Sequence, residues 1–141
     1  MTVHIADPVG SVTGRRPVFV DADATLRAVA RTMWSESVGM LVVGDERRAL
    51  GVISERDVVT ELAEGADPDR RTAQDAMTSY VISARREDPI YDAAGQMLDD
   101  LIRHLPVVDD VGHVVGMVSV RDLLRPLLLD ALTGHAPPDR S

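Results

Sequence analysis

Cysteine is absent from the 141-residue chain, so no disulfide, thiolate nucleophile or zinc–cysteine site exists. An intracellular, cytoplasmic setting is the simplest expectation. Lysine is absent too, and all 15 basic residues are arginine. Aromatics make up 3%, so the core has to be built from aliphatic side chains. Positive charge is outweighed: the net charge is −8, with 7 Arg against 10 acids in residues 1–65 and 8 against 13 in residues 66–141. Neither half carries the basic footprint of a nucleic-acid binder. No apolar run reaches the ~20 residues of a membrane span, and the first ten residues, with Asp7 and Pro8, lack the apolar stretch of a signal peptide. The Gly-rich phosphate loop, the dinucleotide glycine fingerprint and the Gly-x-Ser-x-Gly elbow are all missing. His4, His113 and His135 have no mutual metal-ligand spacing. No catalytic residue, metal or required cofactor is expected.

What is present is a repeat. Gly51-Val52-Ile53-Ser54-Glu55-Arg56-Asp57-Val58-Val59 recurs, at an offset of 65 residues, as Gly116-Met117-Val118-Ser119-Val120-Arg121-Asp122-Leu123-Leu124. The offset of 65 extends back to Met40 and Leu105, whereas the preceding helices align at 64, Leu26 with Ile90 and Met33 with Met97. The second copy is therefore read with one extra residue before its middle strand. A unit of ~60 residues buries too little surface alone, so two copies are expected to share one core. The expected fold is α+β: two βαββα units packed sheet to sheet with pseudo-twofold symmetry.

In chain order, strands are expected at 18–20, 40–43 and 50–53, and helices from Thr25 to about Glu36 and from Ser54 to Ala63, the latter stopped by Gly65. Leu26, Val29, Ala30 and Met33 line one helical face. In the second half, strands are expected at 81–83, 105–108 and 114–118. One helix follows Pro89, with Ile90, Ala93, Ala94, Met97 and Leu101 on its apolar face. Another starts at Ser119 and reaches Arg125; Pro126 kinks or ends it, with Leu127 to Leu132 as a candidate continuation. The domains read as 1–66 for the first repeat with its lead-in, 67–75 linker, 76–133 second repeat and 134–141 flexible tail. Asp75-Ala76-Met77-Thr78 reads as a turn leading into the second half.

Ser54 with Asp57, and Ser119 with Asp122, bear two readings. Ser-x-x-Asp at a helix start fits a capping box. The same geometry offers a carboxylate to two ribose hydroxyls, and a hydroxyl and free N–H groups to phosphate. A box prefers Glu or Gln at its last position, so the shorter Asp leans toward ligand binding. Arg56 and Arg121 fit phosphate or local acids. Trp34 reads as core or dimer contact, and Phe19, Tyr80 and Tyr91 as distant candidates for stacking on a base.

The motif Leu105-Pro106-Val107-Val108-Asp109, then Gly112, then Gly116 to Leu124, with the lead-in Asp75-Ala76-Met77-Thr78, resembles that of cystathionine β-synthase (CBS) domains paired as a Bateman module. The resemblance spans roughly residues 10–130. The first copy departs at Leu41, where proline is usual, and in its weak lead-in Ser11-Val12-Thr13. The resemblance implies a stand-alone, non-catalytic sensor of an adenosine-containing ligand (AMP, ADP or ATP) in the inter-repeat cleft. It implies a homodimer signalling to an unidentified protein partner. Carried over by position, Asp57 and Asp122 hold ribose, and Ser54 and Ser119 sit beside ribose or phosphate. Arg103 and His104 meet phosphate, with uncharged Val38 and Gly39 as their first-half equivalents. Ser83 and Ala84, with Val20 and Asp21 as counterparts, offer backbone to adenine. The rival readings are a ligand-free dimerisation module, in which the boxes are only caps, and a nucleotide-using enzyme.

Overall fold

The structure is a computed structural model that describes residues 3–79 and 81–134. Tyr80, His135 and the tail beyond Gly134 lie outside the described residues. Two compact units emerge, one of residues Pro17–Val81, the other combining the chain up to Arg16 with the chain from Ile82 onward.

The first unit holds β1 (Phe19–Val20), α1 (Leu26–Glu36), β2 (Met40–Gly44), β3 (Ala49–Ser54), α2 (Glu55–Ala63) and the short α3 (Ala73–Ala76). Its sheet has the order β1-β2-β3, with β1 parallel and β3 antiparallel to β2. Thr25 starts α1 by accepting the Ala28 N–H at 3.2 Å. Leu26, Val29 and Met33 turn inward onto Leu41, Val43, Ile53 and Val58, while Ala30, expected on that face, is exposed.

The other unit repeats the plan with β4 (Ala84–Arg85), α4 (Ile90–Asp100), β5 (His104–Val108), β6 (Val114–Ser119) and α5 (Val120–Leu132). Its core is Ile90, Ala93, Met97, Leu105, Val107, Val118 and Leu123. The first strand lies at Ala84–Arg85 rather than 81–83, because Ala84 takes its place beside Val107 and the Asp88 carboxylate turns the chain by accepting the Arg85 N–H at 2.8 Å. Leu101, expected on the apolar face, is instead the left-handed C-cap of α4 (φ 55°) and is 80% exposed. Ile102, whose N–H bonds the Met97 carbonyl, packs on the core in its stead. Helix α5 does not stop at Pro126, which is buried within it. The Asp122 carbonyl forgoes its i+4 donor there.

The lead-ins are exchanged relative to chain order. Residues 72–78 do not lead into the second half but stay on the first: Thr72 pairs with Thr25, and Thr78 with Val52 on β3. Residues 3–16 pack on the second half, where Pro8 pairs with Pro89 and Arg15 with Met117 on β6. A 3-10 turn at Val9–Ser11 puts Val9, 0% exposed, into that core. Burying a valine contributes about 1.5 kcal/mol or more. The repeat's glycines make room for these segments. A Cβ on Gly51 would stand 2.5 Å from the Thr78 carbonyl oxygen, and one on Gly116 would stand 2.5 Å from Thr13 Cγ2.

The extra residue of the second copy sits elsewhere than expected. Met40 pairs with Ser54 and His104 with Ser119, while Gly44 pairs with Ala49 and Val108 with Val114. Leu41 and Val43 face one core, Leu105 and Val107 the other. The middle strands thus correspond at 64, and the additional residue lies in the hairpin after them, which has 109–113 where the first half has 45–48.

Candidate functional site

Each sheet ends, at the C-terminal edge of its last strand, on a helix N-terminus. Ser54 leaves β3 in extended conformation and caps α2: its hydroxyl accepts the Asp57 N–H at 3.2 Å, and Asp57 Oδ2 accepts the Ser54 N–H at 2.8 Å. Ser119 does the same for α5, with the Asp122 N–H at 3.2 Å and its own N–H on Asp122 Oδ2 at 2.8 Å. Both acids are half-buried. In each box the bonds converge on Oδ2, which leaves Oδ1 facing away from its own cap with no donor among the described residues. The two copies differ in one proton. The Ser54 hydroxyl also donates to Asp57 Oδ2 at 3.0 Å, whereas the Ser119 hydroxyl donates to no described residue.

A third box qualifies the first two. Thr72 and Asp75 cap α3 with the same reciprocal bonds, 3.1 Å from the Thr72 N–H and 3.4 Å from the Asp75 N–H. Asp closes a cap here without help from Glu or Gln, so its shortness does not by itself point to a ligand. The donors from Thr72 hold the Asp75 carboxyl below the usual carboxylate range.

Arg103 and His104 stand beside the second box. His104 opens β5 opposite Ser119, and the Arg103 carbonyl accepts the Val120 N–H, the first of α5, at 2.8 Å. The Arg103 side chain is exposed and forms no ion pair with a described residue. The register corrects their counterparts. Gly39, whose carbonyl accepts the Glu55 N–H at 3.1 Å, matches Arg103, and Met40, opposite Ser54, matches His104; Val38 does not take part. The first half still has no cation at this position. Arg56 and Arg121 are exposed in the first turns of α2 and α5, again without an ion pair among the described residues.

The adenine candidates fare differently. Val20 lies beside Val43, and Ala84 beside Val107. Both are three residues along the strand from Met40 and His104, about 10 Å at the rise of a β-strand. Val20 and Asp21 therefore sit toward the hairpin end of their sheet, away from Ser54 and Asp57. Ala84 is likewise distant from Ser119, with its side chain in the core. Ser83 is exposed, one residue nearer. Because β1 runs parallel to β2, it is the residues before each strand that approach the capped end. Val18, whose carbonyl accepts the Val42 N–H at 2.9 Å, leads back to Pro17, and Val81 and Ile82 are their counterparts. The sequence signal for them was parallel pairing of the first strand, which a two-residue strand does not announce.

Trp34 is 87% exposed and so is no core residue. Phe19 and Tyr91 are half-buried. Among the described residues no cluster of His, Asp or Glu could hold a metal ion, and no helix is long and apolar enough to cross a membrane.

The CBS domain pattern matches residues 9–64 and again 73–129. An uncharacterized protein of Methanopyrus kandleri, MK0525, is 33% identical over 83% of this chain, which spans 61% of that protein. A 17.7 kDa protein of Acidianus ambivalens, also uncharacterized, is 34% identical over 88% of this chain and 75% of its own length. The mitochondrial CBS domain-containing protein CBSX3 of Arabidopsis thaliana is 32% identical over 77% of this chain and 55% of its own. Among solved structures, the CBS domain protein PAE2072 of Pyrobaculum aerophilum, complexed with AMP, superposes with a TM-score of 0.81 at 33% identity, covering 90% of this chain and 99% of that one. The CBS domain pair of MJ0100, in complex with 5-methylthioadenosine and S-adenosyl-L-methionine, gives a TM-score of 0.79 at 25% identity, covering 89% and 98%. With matches across both halves of its length, the chain belongs to the CBS domain family and carries the domain twice.

Proposed function

We propose that this protein is a non-catalytic regulatory module that binds an adenosine-containing ligand and signals, as a cytoplasmic homodimer, to a protein partner. The observation that carries the reading is the surroundings of Ser119. Among the described residues, a hydroxyl that donates to no group, an Asp122 Oδ1 with no donor, the Arg121 N–H that the cap leaves over and an Arg103 without an ion pair stand at one strand end. That set offers an acceptor to vicinal hydroxyls and donors to phosphate. The AMP held by the similar Pyrobaculum protein supports the ligand class. The Ser54 end lacks the cation and has its serine hydroxyl already donated, so it suits a less charged ligand or none.

Titration calorimetry with AMP, ATP and S-adenosylmethionine tests the reading. The expected result is AMP or ATP binding that weakens about tenfold or more in Arg103→Ala, as fits loss of a charge-assisted bond. Absence of heat and of any thermal shift with all three ligands would sink it. A second reading, a ligand-free dimerisation module, draws on the Thr72–Asp75 box, a cap and nothing more, and on exposed apolar helix residues such as Trp34, Leu98 and Leu128.

A further inference from the structure

We propose that the residue opening each capped helix, Glu55 in α2 and Val120 in α5, decides which half of the chain accepts a phosphate-bearing ligand. The acid at 55 turns phosphate away and the apolar residue at 120 admits it, so one nucleotide binds per chain. The inference rests on the function proposed above and names the residues that set its specificity.

Within the repeat that runs from Gly51 to Val59 and from Gly116 to Leu124, charge changes at a single position, Glu55 against Val120. Backbone fixes where that position lies. The Glu55 N–H donates to the Gly39 carbonyl at 3.1 Å, and the Val120 N–H to the Arg103 carbonyl at 2.8 Å. It therefore adjoins the other place where the two strand ends differ in charge, Gly39 against Arg103. Glu55, Val120 and Arg103 are all exposed, and neither Glu55 nor Arg103 forms an ion pair with a described residue.

A helix N-terminus attracts anions through its free N–H groups and its dipole. In α2 that attraction is met by two acids of the first turn, Glu55 and Asp57, whereas α5 has Asp122 alone. A phosphate approaching the Arg56 N–H meets the Glu55 carboxylate beside it and no cation at position 39. One approaching the Arg121 N–H meets Arg103 and an uncharged Val120. An acid at 120 would stand across from Arg103 at the spacing of a cross-strand pair and draw its guanidinium away from a ligand. The other charges at these ends do not make the distinction. Arg56 and Arg121 are common to both halves, and α4 ends on Asp99 and Asp100 where α1 ends on Ser35 and Glu36, so acids are no scarcer at the Ser119 end. His104 against Met40 is the same in every variant below and leaves their comparison intact.

Titration calorimetry of the full chain with AMP and with adenosine, which keeps the ribose and lacks the phosphate, tests this. The wild type should take one AMP per chain. Val120→Glu should weaken AMP about tenfold or more, as fits loss of a charge-assisted bond, and leave adenosine affinity unchanged. The fold should tolerate it, since α2 already opens on Glu55 and an acid is favoured in a first turn. Val120→Gln, equal in length but uncharged, should bind AMP as the wild type does. The reverse exchange, Glu55→Val with Gly39→Arg, should add a second AMP per chain; the Gly39 backbone is not left-handed, so a side chain suits it. Two AMP per wild-type chain, or equal AMP affinity in Val120→Glu and wild type, overturn the inference and leave the nucleotide reading standing. Parallel loss of AMP and adenosine in Val120→Glu makes Val120 a structural residue and also overturns it. No heat with AMP or adenosine overturns the nucleotide reading, and this inference with it.

Discussion

Three helices begin on the same four-residue device, and only its surroundings separate a cap from a candidate site. At Thr72 the hydroxyl gives its proton to Asp75 Oδ2 in the open, and Asp75 too has only that one oxygen bonded by its cap. At Ser119 the hydroxyl proton and one carboxylate oxygen are left over, with a guanidinium two residues before the partner strand's second position. Asp122→Ala should remove nucleotide binding and also cost about 1 kcal/mol of stability, the worth of a cap. Asp122→Glu should keep the cap and the melting temperature while weakening binding, because a longer side chain closes the box but moves the free oxygen. Calorimetry and thermal melts on the pair separate the two roles; equal affinity in Asp122→Glu and wild type would assign Asp122 to capping alone. Leu101 carries a different burden. It holds a left-handed backbone, φ 55°, as Ser37 does at φ 54° in the first half. A side chain there costs about 1 kcal/mol, so Leu101→Gly should raise the denaturation midpoint by that amount, with little packing lost from a side chain already 80% exposed.

At the scale of elements, the sequence made the helices and the strand pairs legible because period and caps agreed. Thr25, Gly65 and the run from Leu26 to Met33 place their elements to within a residue. What it did not reveal was register. Met40-Leu41-Val42-Val43 and Leu105-Pro106-Val107-Val108 look alike at an offset of 65, yet pairing and the inward faces align them at 64. All four residues of the first run are buried, so burial carried no alternation to expose the slip. The role of the repeat's glycine was hidden for a related reason, since its neighbour comes from a lead-in segment distant in sequence, Thr78 for Gly51 and Thr13 for Gly116. Gly51→Ala should destabilise by about 2 kcal/mol or more, because its Cβ meets backbone that cannot step aside. Gly116→Ala should cost less, because its obstacle is one methyl of Thr13. Urea midpoints of the two variants give the comparison.

Across the whole molecule, the site was half legible. Ser54 and Asp57 stand at the end of one sheet's last strand, and Ser119, Asp122, Arg103 and His104 at the corresponding end of the other sheet, while Val20, Asp21 and Ala84 do not reach such an end, because a parallel first strand points its other end there. Charge also sets an acid limit. The Arg27 guanidinium, bonded at 2.6 Å, holds the Asp69 carboxyl below its ordinary value, and the His113 and Val111 N–H groups do so for Asp109. A lowered carboxyl stabilises the fold above its unfolded pKa of about 4 and loses that contribution as the pH falls through its folded value. Melting temperatures followed by circular dichroism should therefore hold above about pH 5 and fall below about pH 4. Trp34 is the single tryptophan and is 87% exposed. If the helical faces meet in a homodimer, its emission should shift to the blue as protein concentration rises, and an unchanged spectrum across the monomer–dimer range would place the contact elsewhere.

The traded lead-ins have a consequence for anyone dividing this gene. The stretch Pro17–Val81 is one uninterrupted piece of chain that contains its own edge partner and core cluster, so two cuts release it. Two cuts do not release its sister, since its pieces flank the other on both sides. To obtain it whole, residue 16 would have to be spliced to residue 82, which turns a tandem duplication, as the family pattern draws it, into one module inserted inside another.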